Sequence, residues 1–269
     1  MATNNETIRV RPEQGQVKTC CATLYESDLT RLLLGDSFHP GGLQLTGELG
    51  HILGLGPASR VLDVACGKGT TAVFLAKEFG CGVLGIDYGE QNVAAARSLA
   101  QADHVDSRVQ FECGDAENLP FADAAFDAVI CECAFCTFPD KVASAREFFR
   151  VLRRGGHVGI SDLTRDRTLP AKLDRLLAWI ACIGDAQTLD GYTALLRDAG
   201  FTVDSVKQRN DALEEMVNQV RVKLLGAEIM TGLKKLQLPD LDLGGAKRMA
   251  NSAMAAVKQG ALISATKPD

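Results

Sequence analysis

The sequence predicts a doubly wound α/β fold, a mainly parallel sheet with helices on both faces, and three observations carry that expectation. From Arg60 onward, apolar strand-like runs alternate with segments of helical spacing, and parallel neighbours need such crossovers because no tight turn can join them. The first run leads into a glycine-containing turn, "DVACGKGT" at residues 63 to 70, which opens a helical stretch. Bare backbone there lets a ligand approach the main chain at the carboxyl edge of a sheet. The second run ends on an acid, Asp87, at roughly the 20-residue spacing that brings a carboxylate to the ribose hydroxyls of a nucleoside.

Taken in order, "RVLDVA" is followed by the helical "TTAVFLAKEFG", "GVLGID" by "QNVAAARSLAQAD", and "VQFECGD" by a loop containing Pro120. "FDAVICE" precedes "DKVASAREFFRVLR", and "GHVGISDL" precedes a further helical stretch, with Gly155 and Gly156 suited to end the helix before it. Upstream, His39-Pro40-Gly41-Gly42 must be a turn between two helices, since proline and glycine are poor helix-interior residues. Downstream, "TLDGYTALLRDAGF" carries a cap at Thr188 or Asp190, a leucine face and a stop at Gly200, and the strand "TVDSVKQ" should follow. Residues 211–259 have helical spacing, and the last strand-like run lies in "GALISATKPD". The expected organisation is one domain: an amino-terminal helical cover over 1–58, a ligand-binding core over 59–205, and a helical insertion with a closing strand over 206–269.

A chain of 269 residues with 46% hydrophobic and 23% charged residues can bury a full core. The net charge of -5, without a long basic run, argues against nucleic acid as the main partner. No stretch approaches the ~20 apolar residues of a membrane helix, and the polar amino terminus lacks a signal-type apolar region, so a cytoplasmic location is expected. In that setting nine cysteines are thiols rather than structural disulfides. Composition leaves the oligomeric state open.

A dinucleotide fold would read G-x-G-x-x-G at the first turn, whereas this chain reads Cys66-Gly67-Lys68-Gly69-Thr70-Thr71. With "GVLGIDYGEQNVAAAR", "CGDAENLPFADAAFDAVICE" and "VLRRGGHVGISD" following in order over most of residues 60–162, the pattern resembles the class I S-adenosylmethionine-dependent methyltransferases. The resemblance implies S-adenosylmethionine as cofactor. It places Asp63 at the cationic end of the cofactor, Ala65, Gly67 and Gly69 at the glycine turn, Asp87 at the ribose, and Asp115 and Ala116 at the adenine, with Tyr88 and Glu132 as further cofactor-binding residues. Carboxylates suit the cationic sulfonium and amino groups. Read without the resemblance, Asp63, Asp87 and Asp115 are loop and helix-cap acids.

Within that class the sequence is similar to the quinone and arsenite methyltransferase group. "CECAFC", Cys131 to Cys136, follows the fourth strand, Cys20-Cys21 precede the first helix, and Cys182 sits before "LDGYTALLRDAGF". The resemblance implies thiolates that hold trivalent arsenic, with Cys133, Cys182 and Cys20 or Cys21 as candidates and Cys136 beside them. Small apolar filling is the competing reading of each cysteine, and for Cys66, Cys81 and Cys113 it is the expected one. Three functions stay open: methylation of a soft nucleophile with thiol-bound arsenite first, methylation of a quinone-like or other small organic metabolite, and thiol-based metal binding or sensing without turnover. A carbon or oxygen acceptor would want a base, for which His39, Asp162 and Glu132 are the candidates. The leucine and methionine stripe near residues 211–256 reads as packing against the cleft, with a lid, a dimer face or a membrane-surface helix as alternatives.

Overall fold

The structure, a computed structural model, describes residues 15, 18, 19, 23, 41–165, 185–211 and 259–269. Its frame is a seven-stranded sheet in the order β3-β2-β1-β4-β5-β7-β6. The strands are β1 Arg60–Val64, β2 Gly82–Asp87, β3 Val109–Cys113, β4 Phe126–Glu132, β5 Leu152–Thr164, β6 Thr202–Gln208 and β7 Gln259–Thr266. Strands β1 to β5 pair in parallel, while β7 runs antiparallel to both β5 and β6. The order reverses at β1, where β2 lies on one side and β4 on the other; in open α/β sheets that crevice is where ligands bind.

Helices α1 Gly42–Ile52, α2 Thr70–Phe79, α3 Glu90–Ala102, α4 Lys141–Val151 and α5 Leu189–Asp198 cover both faces. Strand residues alternate between two cores. Val61, Ala128 and Ile130 pack with Leu45, Leu49, Leu75 and Ala96 from α1 to α3. Leu62, Val64, Val129 and Cys131 pack with Phe148 and Tyr192 from α4 and α5. Because each side is buried, β1 and β4 read as nearly unbroken apolar runs. Of their polar residues, Asp63 and Glu132 mark the open carboxyl end of the sheet, while Arg60 and Asp127 meet at the opposite end.

Local signals explain most boundaries. Thr188 caps α5, its hydroxyl accepting from the Gly191 amide at 3.0 Å, and Gly200 at φ +108° follows the end of that helix. Asp140 caps α4 by accepting from the Ala143 amide at 2.9 Å. The expectation that Gly155 and Gly156 end α4 is corrected. That helix stops at Val151 and the chain passes directly into β5, with Gly155 at φ +67° inside the strand beside a register shift between Phe126 and Ala128. Cys113 is also corrected: it is exposed at the end of β3, not core filling, whereas Cys66 and Cys81 are buried as expected. The expected helix before the His39-Pro40 turn, the stretch after β5 and the insertion over 212–258 lie outside the described residues.

Candidate active site

The carboxyl ends of β1, β2 and β4 open into one cleft with a cavity of about 160 Å³. The glycine turn forms its floor. Ala65 takes φ +57°, Gly67 φ +53° and Gly69 φ +83°, so three left-handed residues reverse the chain between β1 and α2. Those two glycines have different neighbours. A Cβ on Gly67 would meet no atom within 4 Å, and Gly67 lines the cleft; a Cβ on Gly69 would lie 2.7 Å from Phe111 and 2.8 Å from Ala96. Gly69 thus sits behind the cleft as the residue that lets α2 start against α3 and β3.

Five carboxylates line the cavity, and Asp63, Asp87 and Glu132 stand at the ends of β1, β2 and β4. Asp63 closes in from β1, 2% exposed, and its Oδ2 is buried without a hydrogen-bond partner. Burial, then the negative charges of Glu132 and Asp87, hold its carboxyl well above the usual carboxylate range, although a hydrogen bond from the Ala72 amide works the other way. Glu132 Oε2 accepts from Thr46 Oγ1 at 2.9 Å and Thr71 Oγ1 at 2.8 Å, which ties the end of β4 to α1 and α2. Asp87 organises the turn. Its Oδ2 accepts from the Gly67 amide at 2.8 Å, and its Oδ1 accepts from the Gly89 amide at 2.8 Å and Asn92 Nδ2 at 3.1 Å.

Asp115, Ala116 and exposed Tyr88 line the cleft beside Asp87. Asp115 and Glu117 both accept from Lys18 Nζ, at 2.7 and 2.5 Å. Burial of the ammonium lowers its proton affinity, and the two carboxylates more than offset that, so the Lys18 pKa lies above its ordinary value. Glu117 Oε1 also accepts from the Asp140 amide at 2.8 Å, joining this loop to the wall formed by Cys133, Ala134, Thr137, Phe138 and Pro139. Lys141 Nζ anchors the same wall from behind, donating to the Cys136 and Phe138 carbonyls at 2.9 Å each and to Asp185 at 2.7 Å.

The cysteines of "CECAFC" do not act together. Cys131 and Cys136 are fully buried in the core, and burial pushes the Cys131 thiol well up. Cys133 follows the last residue of β4 at φ +51°, a conformation uncommon for a side-chain-bearing residue, and lines the cleft. Expectations for Cys136 as a ligand are thereby corrected: packing against Leu163, Tyr192 and their neighbours takes the place of a cleft contact. Asp162 is corrected as a base. It is 3% exposed, accepts from the Cys136 amide at 2.8 Å and its neighbour Leu163 at 2.7 Å, and stands outside the cleft lining. Cys20, Cys21, His39 and Cys182 lie outside the described residues. Sequence reasoning missed Lys18, Asn92, Glu117 and the two threonines on Glu132; a buried asparagine beside Val93 and Ala96 on an otherwise apolar helix face was the one legible signal.

A glycine turn, five carboxylates and a partner-less carboxylate oxygen together fit a small cationic nucleoside-containing ligand. Comparison with known proteins supplies the class. The methyltransferase-domain family profile matches residues 55–216. A 27-O-demethylrifamycin SV methyltransferase from Amycolatopsis mediterranei is 32% identical over 196 residues, covering 67% of this chain and 72% of that one. An arsenite methyltransferase from Halobacterium salinarum is 27% identical over 194 residues, covering 70% of this chain and 49% of that one. Phosphoethanolamine N-methyltransferase 2 of Haemonchus contortus, solved with S-adenosyl-L-methionine, superposes with a TM-score of 0.78 at 20% identity, over 94% of this chain and 60% of that one. The chain belongs to the methyltransferase-domain family and is a class I S-adenosylmethionine-dependent methyltransferase. Among the described residues, no helix is long and apolar enough to cross a membrane.

Proposed function

We propose that the cleft transfers a methyl group to a small soft nucleophile, with thiol-bound trivalent arsenic as the acceptor that fits best. The observation that carries this reading is the placement of Cys133, the cysteine of "CECAFC" that lines the cleft, on the wall next to the Asp63 and Glu132 carboxylates. Bound S-adenosylmethionine supplies an electrophilic methyl group on a sulfonium. Asp63 and Glu132 hold its cationic end by charge; Asp87 and Tyr88 take the ribose, and Asp115 and Ala116 the adenine. Gly67, with open space where a side chain would stand, lets the cofactor approach the backbone.

Among the described residues the acceptor wall bears no histidine, and the nearby Glu132 is engaged by two hydroxyls. A nucleophile that arrives with a usable lone pair suits that wall, since no proton has to be removed. Trivalent arsenic held by Cys133 and by thiols such as glutathione is such a nucleophile. The chain then contributes alignment, holding acceptor and methyl carbon in a near-attack arrangement. A second reading, methylation of a small organic acceptor, is favoured by the apolar faces of Ala134, Phe138 and Pro139 on the same wall.

Methyl transfer from labelled S-adenosylmethionine to arsenite with glutathione, run beside a panel of quinone precursors, separates the two. Labelled methylarsenical that falls at least tenfold in Cys133→Ser, with cofactor affinity retained, is the expected result. Product only with an organic acceptor, or full arsenite activity in Cys133→Ser, would remove arsenic from the site.

A further inference from the structure

One buried polar atom in the cleft is used neither by the carboxylates nor by the acceptor wall. Asn92 sits in the first turn of α3, 3% exposed, and lines the cavity. Its Nδ2 donates to Asp87 Oδ1 at 3.1 Å. An ionised carboxylate only accepts, so the amide cannot be turned the other way round: the nitrogen must face Asp87 and the oxygen must face away from it. Asp87 is itself held by the Gly67 and Gly89 amides. Asn92 Oδ1, fixed by this arrangement, is buried without a hydrogen-bond partner. A buried acceptor left unmade is costly, and a leucine or methionine would pack against Val93 and Ala96 without that cost. An acceptor retained in such a place is explained by a donor that arrives with the ligand.

We propose that Asn92 Oδ1 accepts a hydrogen bond from the nucleoside half of S-adenosylmethionine, so that this side chain selects for a donor group on the cofactor. The assignment rests on the placement of the nucleoside at the Asp87 end given above. The same cleft is lined by Ile86, Asp87, Gly114, Asp115 and Ala116, and the Gly114 amide donates to the Asp87 carbonyl at 2.9 Å. A nucleoside offers two kinds of donor there, the exocyclic amine of adenine and the ribose hydroxyls. Both present an N–H or O–H to the same oxygen.

Isothermal titration with S-adenosylhomocysteine, its analogue lacking the exocyclic amine, and its 2′-deoxy and 3′-deoxy analogues tests this without turnover. One analogue should bind the wild type about tenfold more weakly than the parent, and Asn92→Leu should lose a similar factor for the parent while ceasing to discriminate against that analogue. The identity of that analogue says which donor is read. Parent affinity unchanged in Asn92→Leu, or a loss with the same discrimination among all analogues, would overturn the proposal; the latter would mean that Asn92 acts only by steadying Asp87. If Asn92→Leu does not fold, judged by its melting curve, Asn92→Ser takes its place. A wild type that binds all analogues as tightly as the parent also overturns it. The underlying placement fails separately, if Asp87→Ala leaves parent affinity unchanged.

Discussion

At the scale of single residues, Asp63 opposes stability and supports binding with the same carboxylate. Its buried oxygen and its two carboxylate neighbours raise the folded-state pKa above the unfolded value. An acid shifted upward is protonated in the folded chain where the unfolded chain has already lost its proton, so stability falls as pH rises from the ordinary carboxylate range toward the raised value. Melting curves of the ligand-free wild type and Asp63→Asn across that range check the sign. The variant should gain relative stability as pH rises; a gap independent of pH would contradict the assignment. Cys133 shows the other side of residue-scale reading. Sequence placed it at the end of a strand among three similar thiols, and only the left-handed turn after Glu132 distinguishes it from its core neighbours.

At the scale of elements, the turn between β1 and α2 and the wall after β4 carry the site, and each has a structural anchor that can be tested apart from the ligand. Gly69→Ala should destabilise the fold by about 2 to 4 kcal/mol, because the new methyl meets Phe111 and Ala96 in addition to the left-handed strain. Gly67→Ala bears the strain alone, about 1 kcal/mol, yet should weaken cofactor binding more than its stability loss accounts for. Denaturant melts paired with titrations separate these outcomes, and equal destabilisation by both substitutions would contradict the difference in packing. For the wall, Lys141→Met leaves the Cys136 and Phe138 carbonyls and the Asp185 carboxylate without their cation. It should cost about 3 kcal/mol and raise the acceptor KM before it affects cofactor affinity. A variant with wild-type stability would show the ion pair to be dispensable.

At the scale of the whole molecule, the parallel half of the sheet was legible because β1, β2, β4 and β5 are largely buried on both faces and their turns carry glycine or acids at strand ends. Asp63, Ala65, Gly67, Asp87, Tyr88, Asp115, Ala116 and Glu132 all line the one cleft, as their positions at the ends of β1 to β4 implied. The joining of β7 between β5 and β6 was not legible, since pairing order is set by contacts between segments far apart in the chain. Nor could spacing tell Cys136 in the core from Cys133 in the cleft, because a strand end that turns left-handed abolishes the alternation on which such reading depends. Strand β7 also anchors the far end: Lys267, just beyond it, donates to the Phe149 and Leu152 carbonyls at 2.9 and 2.7 Å. Removal of residues 259–269 should therefore abolish cooperative unfolding, which circular dichroism would read; a retained sharp transition would mean that the parallel strands fold without it.

The most direct measurement is the affinity of S-adenosylhomocysteine for the wild type and for Asp63→Asn, by titration calorimetry at neutral pH, beside the melting temperatures of both ligand-free proteins. The expected result is a variant that melts higher and binds at least tenfold more weakly. Unchanged affinity in a folded variant would contradict the assignment of the buried Asp63 carboxylate to the cationic end of the cofactor.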